Sequence, residues 1–323
     1  MTMTTKIPIF IMLSILAAAS ILFSLFKGST LISFQQLFNA LPQHHHDSLT
    51  HKIIFDLRLP RTLAAFVSGS LLALAGAMMQ ILLRNPLADP YVLGISGGAA
   101  VASLLCMLCG LGGCWLTGSA WLGSLTAILL VFLLANRKNT WQSHAILLTG
   151  IALASGFAAL ISFILLISPN TELRSMLFWL LGDLSYAHLP VVEACILLIG
   201  LIISIGLGKQ LNILMQGELH AKALGIHTER LQMQIYLLSS LFTAAAVSLA
   251  GCIGFIGLIV PHLFRLLCGQ DHRYLLPGCV LLGGSLLTIA DTLSRIVFAP
   301  QQLPVGIVMT LLGVPIFLAL LQR

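Results

Sequence analysis

Residues 216–234 read QGELHAKALGIHTERLQMQ, and how they are read decides the fold. Only 8% of the chain is charged, yet Glu218, Lys222, Glu229 and Arg230 fall within thirteen positions here, together with His220 and His227. Long apolar runs lie on both sides, so the segment must sit in water between membrane spans. Leu219, Ala223, Leu224 and Ile226 recur at roughly helical spacing, and Gly225 reads as a helix stop. Two readings stand: a solvated connecting loop, or a short amphipathic helix that presents a shaped face to something in solution. The rest of the chain offers no other water-facing platform of this size on that side, which favours the second.

Working outward, 58% hydrophobic content over 323 residues and a mean hydropathy of +1.03 exclude a soluble globule. A bilayer is crossed by about 20 apolar residues, and ten such spans are predicted: 7–26, 62–83, 92–110, 114–135, 144–167, 189–207, 232–250, 252–267, 275–298 and 303–321. The expected fold is therefore all-α, a polytopic membrane protein forming a single domain over residues 1–323. Lys6 precedes the first span and no small-residue cleavage site follows promptly, so that span reads as a retained anchor. Of the 16 Lys and Arg residues, ten fall on the N-terminal side of the membrane and six on the other. That bias puts both termini and residues 208–231 in the cytoplasm and the 27–57 loop outside. Basic residues are not clustered on an exposed face, so nucleic-acid binding is not expected.

The outer loop holds His44, His45, His46, Asp47 and His51, a run that either binds a transition metal or is a solvated tract. Arg58 and Arg61 flank Pro60, which suits a first helical turn. The arginines are either headgroup anchors or receivers of carboxylates from a docking protein. The second span is rich in small residues, from Ser68 to Ala77, and is expected to run through the middle of the bundle. Arg84-Asn85-Pro86-Leu87-Ala88-Asp89-Pro90 forms a rigid break. No Walker pattern exists, so ATP is not bound through a P-loop. Of the seven cysteines, Cys106 and Cys109 share a helix face, but buried inert thiols are the expectation, with no metal site. Residues 172–183 read as an interfacial helix with Trp179 at headgroup level. Asp291 and Arg295 read as a local i,i+4 ion pair at the interface, on the same surface as Arg58 and Arg61. An echo at a constant offset of 175, with LAG at 74–76 and again at 249–251, suggests an inverted repeat.

At this point the chain resembles the FecCD-type permeases. RLPR at 58–61, NPLADP at 85–90, GELHAKALG at 217–225, GFIGLIVPHLFR at 254–265 and LPVG at 303–306 carry the resemblance. These are membrane subunits of ATP-binding cassette importers for iron–siderophore complexes, haem and vitamin B12. The resemblance implies the type II importer architecture: a homodimer in the inner membrane, served by cytoplasmic ATPase subunits and a periplasmic binding protein, with no cofactor of its own. It implies that Gly217, Glu218, Ala221, Leu224 and Gly225 lie on a helix that couples to the ATPase. Arg58, Arg61 and Arg295 would dock the binding protein. Ser143 and His144 would stand at a cytoplasmic gate, and spans five and ten would line the pathway.

The alternative is an ion-coupled secondary transporter, which needs ionisable groups near the midplane. Glu193, Asp291 and Arg295 all sit near span ends, and no catalytic constellation is found, so the chain is not expected to be an enzyme. Deleting His44–His46 is expected to leave uptake unchanged in a transport assay; a large loss would mean the tract binds something needed.

Overall fold

A run of small residues lets neighbouring helices approach until their backbones touch, which in lipid replaces the hydrophobic drive that water would supply. The computed structural model, which describes residues 3–28, 49–135, 143–185 and 187–321, is built around such a run. Its α-helices are α1 (Met3–Phe26), α2 (Leu59–Leu82), α3 (Ile95–Leu108), α4 (Cys114–Ala135), α5 (Ser143–Ile167), α6 (Asn170–Leu180), α7 (Val191–Met215), α8 (Glu218–Ala223), α9 (Thr228–Ala250), α10 (Ile256–Cys268), α11 (His272–Ile296) and α12 (Val305–Leu321). No strand occurs among the described residues. Seven of the described helices are long and apolar enough to cross a membrane, and α3, α10 and α12 are shorter apolar ones. Each of the ten spans expected thus falls on an apolar helix, seven of them of crossing length.

Helix α2 is almost wholly buried, with α7, α9, α10 and α11 packed around it. A methyl group at Gly76 would overlap the backbone of Gly257, and one at Gly69 would overlap that of Gly283, so α2 meets the start of α10 and the middle of α11 backbone to backbone. Gly98 and Gly123 make the same approach between α3 and α4.

Helices α3 and α10, at 14 and 13 residues, span only about 20 Å at 1.5 Å per residue, short of a ~30 Å hydrocarbon core. Each is preceded by backbone outside the α-helices, at 83–94, which includes a 3-10 turn at Pro90–Leu93, and at 251–255, whose polar groups must be satisfied within the protein. They satisfy one another. The Tyr91 hydroxyl accepts from the Ile253 amide at 2.9 Å and donates to the Ile253 carbonyl at 3.1 Å. The Asp183 amide donates to the Ala250 carbonyl, Val305 to Gly182 and Gly306 to Leu181, each at 3.0 Å. Three breaks in the chain and the start of α12 thus knit into one seam.

Several expectations change. The 27–57 loop is shorter than expected, because helical backbone begins again at Leu49 and passes through a wide π turn, Ile53–Arg58, into α2. The wide turn lies where Pro60 has no amide hydrogen for the carbonyl four residues back. Residues 208–215 are the last turns of α7, so the helix runs past the expected end of its span at 207. Trp179 is 6% exposed and packs beside Met176 and Val247, so its ring is covered by protein rather than open to lipid in the single chain. Cys109, Cys114 and Cys195 are exposed rather than buried. A constant offset of 175 does not relate the two halves: α2 and α9 end at Leu82 and Ala250, while α3 and α10 begin at Ile95 and Ile256. His44–His46 and Asp47 lie outside the described residues.

Replacing Gly76 with Leu should destabilise the bundle by about 1–3 kcal/mol or more through overpacking. Gly206, which is exposed and has nothing within 4 Å of the place a Cβ would take, should accept Ala without effect. Thermal unfolding of the detergent-purified protein compares the two; equal midpoints would refute the backbone contact.

Candidate functional site

Helix α7 has 25 residues and is about 37 Å long, more than the hydrocarbon core requires. Gly217, with φ of 132°, then turns the chain into the six-residue α8, and Gly225, with φ of 79°, turns it out again. Both angles suit glycine and strain most other residues. Ala221 is fully buried against the ends of the neighbouring helices, whereas Leu219 is 85% exposed and Leu224 57%. The platform therefore anchors through one small residue and holds two leucines out.

Glu218 ties the platform to the rest of the bundle. Its carboxylate accepts from Lys222 at 3.0 Å, from Arg84 at 3.3 Å and from the Thr228 hydroxyl at 3.4 Å. The Lys222 hydrogen bond, then the Lys222 and Arg84 charges, hold this carboxyl below the usual carboxylate range against the opposing effect of partial burial. Arg84 follows α2 in the left-handed region, φ 48°, and sits in the NPLADP break, where Asn85 accepts from the Leu87 amide and Asp89 from the Tyr91 amide. At the start of α11, Asp271 accepts from the Arg273 guanidinium at 2.7 Å and from Asn212 at 2.8 Å, and these contacts, Arg273 first, hold it well below the usual range.

At the other end of the bundle the structure brings Arg58, Arg61 and Arg295 together, but in a setting unlike an open docking face. Asp291 is fully buried, bridging Arg61 at 2.9 Å and Arg295 at 3.1 Å, while Arg295 is 6% and Arg61 12% exposed. Arg58 is buried and donates to the carbonyls of Leu25 and Phe26, in the last turn of α1. Cations there complement the negative end of a helix. Arg295 also donates to the Ser24 hydroxyl, which pairs with Thr62. The expected Asp291–Arg295 pair exists, then, but buried rather than interfacial, and it pins α1, α2 and α11 to each other. Arg61, which also donates to Gln302 at 2.8 Å, is the most accessible of the three.

Ser143 opens α5, but the side chains of Ser143 and His144 lie outside the described residues, as do Arg137 and Lys138. Among the described residues no group of His, Cys, Asp and Glu has the makings of a metal site.

Residues 15–323 match the FecCD transport family. The chain belongs to that family. It is 41% identical to the vitamin B12 import system permease protein BtuC of Vibrio cholerae over 85% of this chain and 84% of that one. It is 39% identical to the hemin transport system permease protein HmuU of Yersinia pestis, over 92% and 90%. A solved ABC transporter described as metal-chelate type, in an inward-facing conformation, superposes with a TM-score of 0.86 at 32% identity, covering 98% of this chain and 99% of that one. This FecCD chain is a multi-pass membrane permease of the ABC importer class.

Two signals escape the sequence. Arg61 and Asp291 are 230 positions apart, and Arg84 and Glu218 134 apart; no periodicity links them.

Asp291→Ala leaves two buried arginines without their carboxylate and should cost about 3–5 kcal/mol, read as a lowered unfolding midpoint; a loss below about 1 kcal/mol would place the cluster in solvent. Because the folded pKa of Glu218 is lowered, its contribution is complete above the ordinary carboxylate value and is lost as pH falls through the folded one. Hydrogen-exchange protection of residues 217–225, corrected for intrinsic rate, should be flat near neutrality and fall in acid, and Glu218→Gln should abolish the acid step.

Proposed function

We propose that the chain is the membrane-embedded, non-catalytic half of an ABC importer, carrying a ferric siderophore, haem or cobalamin-type ligand into the cytoplasm. It would act as a homodimer in the inner membrane with both termini cytoplasmic, between a periplasmic binding protein and a pair of ATPase subunits. The observation that carries this is the platform: α8 is held rigidly by two positive-φ glycines and a buried Ala221, yet offers Leu219 and Leu224 to a partner. Exposed leucines at the end of a water-facing helix call for a covering surface. Gly217, Glu218, Ala221, Leu224 and Gly225 form the ATPase-coupling element.

ATP-driven closure would draw two such platforms together, biasing a two-state dimer without chemistry in the membrane. Helices α5 and α12 are among the least covered in the single chain, which suits a pathway and dimer face, with Ser143 and His144 at its inner gate. On the outer side Arg61 is the residue a carboxylate of the binding protein could reach, while Arg58 and Arg295 fix its position from behind. The relatives named above are described as an import-system permease, a transport-system permease and an ABC transporter, which leaves the ion-coupled alternative without support.

Reconstitution with the ATPase and binding protein tests the reading. Gly225→Leu, strained by about 1–2 kcal/mol in the left-handed region, and Glu218→Lys, which sets a third cation beside Arg84 and Lys222, should both insert normally and lose ATP-driven uptake. Competition among ferric siderophores, haem and cobalamin identifies the cargo. Normal uptake by both variants, or accumulation by the permease alone on a proton or sodium gradient, overturns it.

A further inference from the structure

A second feature at the platform end is independent of the cargo. A cavity of about 520 Å³ opens between the ends of α2, α7, α10 and α11, lined by Gln80, Arg84, Asn212, Arg265, Asp271 and His272 among others. Asp271 is already occupied by Arg273 and Asn212. Arg265 is half-buried, bonded to the Gln80 side-chain oxygen, and faces no carboxylate in an ion pair among the described residues. Arg84 shares itself between this cavity and Glu218. The cavity therefore presents guanidinium donors with charge to spare.

His272 adds the discriminating group. Asn212 is oriented by two opposed contacts: its Nδ2 donates to Asp271 Oδ1 at 2.8 Å, and its Oδ1 accepts from the His272 backbone amide at 2.9 Å. That same oxygen is 2.6 Å from His272 Nδ1, so Nδ1 must carry the ring proton. In the neutral ring Nε2 is then an acceptor. It is buried, on a side chain 3% exposed, and has no hydrogen-bond partner among the described residues. An orphaned acceptor of this kind is costly unless something donates to it.

A protonated oxyanion answers both halves. The ligand must be an anion that accepts from guanidinium groups and also keeps a hydroxyl to donate to an imidazole nitrogen. Carboxylate and sulfate, fully deprotonated near neutral pH, have no such hydrogen, and neither does a phosphodiester. Hydrogen phosphate has one, and so does a phosphate monoester in its singly protonated form. We propose that this cavity is a binding site for a protonated phosphate, free or as the monoester headgroup of a lipid, held by Arg265 and Arg84 and selected by His272 Nε2. Because Arg84 also binds Glu218, an occupied site would compete with the platform for that guanidinium.

The test uses the detergent-purified full chain, reading the unfolding midpoint at constant ionic strength against inorganic phosphate, sulfate, acetate, short-chain phosphatidic acid and short-chain phosphatidylglycerol. Stabilisation by inorganic phosphate and not by sulfate or acetate supports a free-ion site. Stabilisation by phosphatidic acid alone supports the lipid source. Arg265→Gln should weaken the effective anion by about tenfold or more, the loss of a charge-assisted hydrogen bond. Arg84→Gln, at a side chain 41% exposed, should fold whatever becomes of the Arg265 variant and should weaken it in the same direction. His272→Leu should bring phosphate down to the level of sulfate. No stabilisation by either phosphate, equal effects of phosphate and sulfate, a stronger effect of phosphatidylglycerol than of phosphatidic acid, or an unchanged response in Arg84→Gln overturns the proposal.

Discussion

Backbone polar groups at membrane depth must find partners inside the protein, and the architecture follows from how this chain meets that demand. A continuous helix satisfies itself. Helices α3 and α10 are too short to do so across the bilayer, and α12 begins only at Val305. The turns and helix ends at 90–94, 181–184, 250–253 and 305–306 are therefore gathered where each supplies what another lacks, with the Tyr91 hydroxyl serving both polar groups of Ile253. The seam also explains why α2 must be lined with glycine. Gly257 lies at the start of α10, immediately after the seam, and its backbone can come so close only because Gly76 carries no side chain; a Cβ on Gly257 itself would meet Pro90 and the Leu72 carbonyl.

The ionic groups divide by the same physics. Where the bundle is closed, charge is costly and has to be matched: one carboxylate, Asp291, serves Arg61 and Arg295, and helix carbonyls serve Arg58. Where the chain meets water, Glu218, Lys222 and Arg84 form a looser set with side chains a third to a half exposed. The Asp291 cluster is thus a fixed framework, and the platform set is adjustable. A motif read as RLPR says only that two arginines stand one turn apart. Whether they face solvent depends on α1 and α11 closing over them, and those helices lie far away in sequence.

What is legible in the sequence follows the same division. Composition and span length predict the number of crossings, small residues in 68–77 predict the central position of α2, and Gly225 predicts the helix stop, because each is a local property of the chain. The burial of Trp179 is not legible, because a Trp in a short amphipathic helix has the same local signature at a surface as in a core. The His272–Asn212–Asp271 relay cannot be read at all: two of its members adjoin, but Asn212 looks like an ordinary residue in an apolar helix until α7 is seen to end beside α11. Contacts across more than a hundred positions carry no period, and in so apolar a chain few alternatives can be eliminated.

These distinctions bear on how motion could pass from platform to membrane in the proposed importer. The Arg84–Glu218 pair is partly exposed and 3.3 Å long; such pairs are worth about 0–1 kcal/mol, too little to drag one helix after another. The stiffer route is covalent and steric. α8 follows α7 through a single tight turn, the Gly217 amide donating to the Leu214 carbonyl and the Ala221 amide to Gly217. Leu211 and Leu214 are buried in the core that α2 organises, and α2 in turn abuts α10 and α11 at glycines with no side chain to yield. A displacement of α8 would therefore be shared by α7 and the α2-centred core as one body, and the give must come where packing is sparse, along the thinly covered α5 and α12. The ion pair is left with a different task, to set the resting angle of a platform that something else moves.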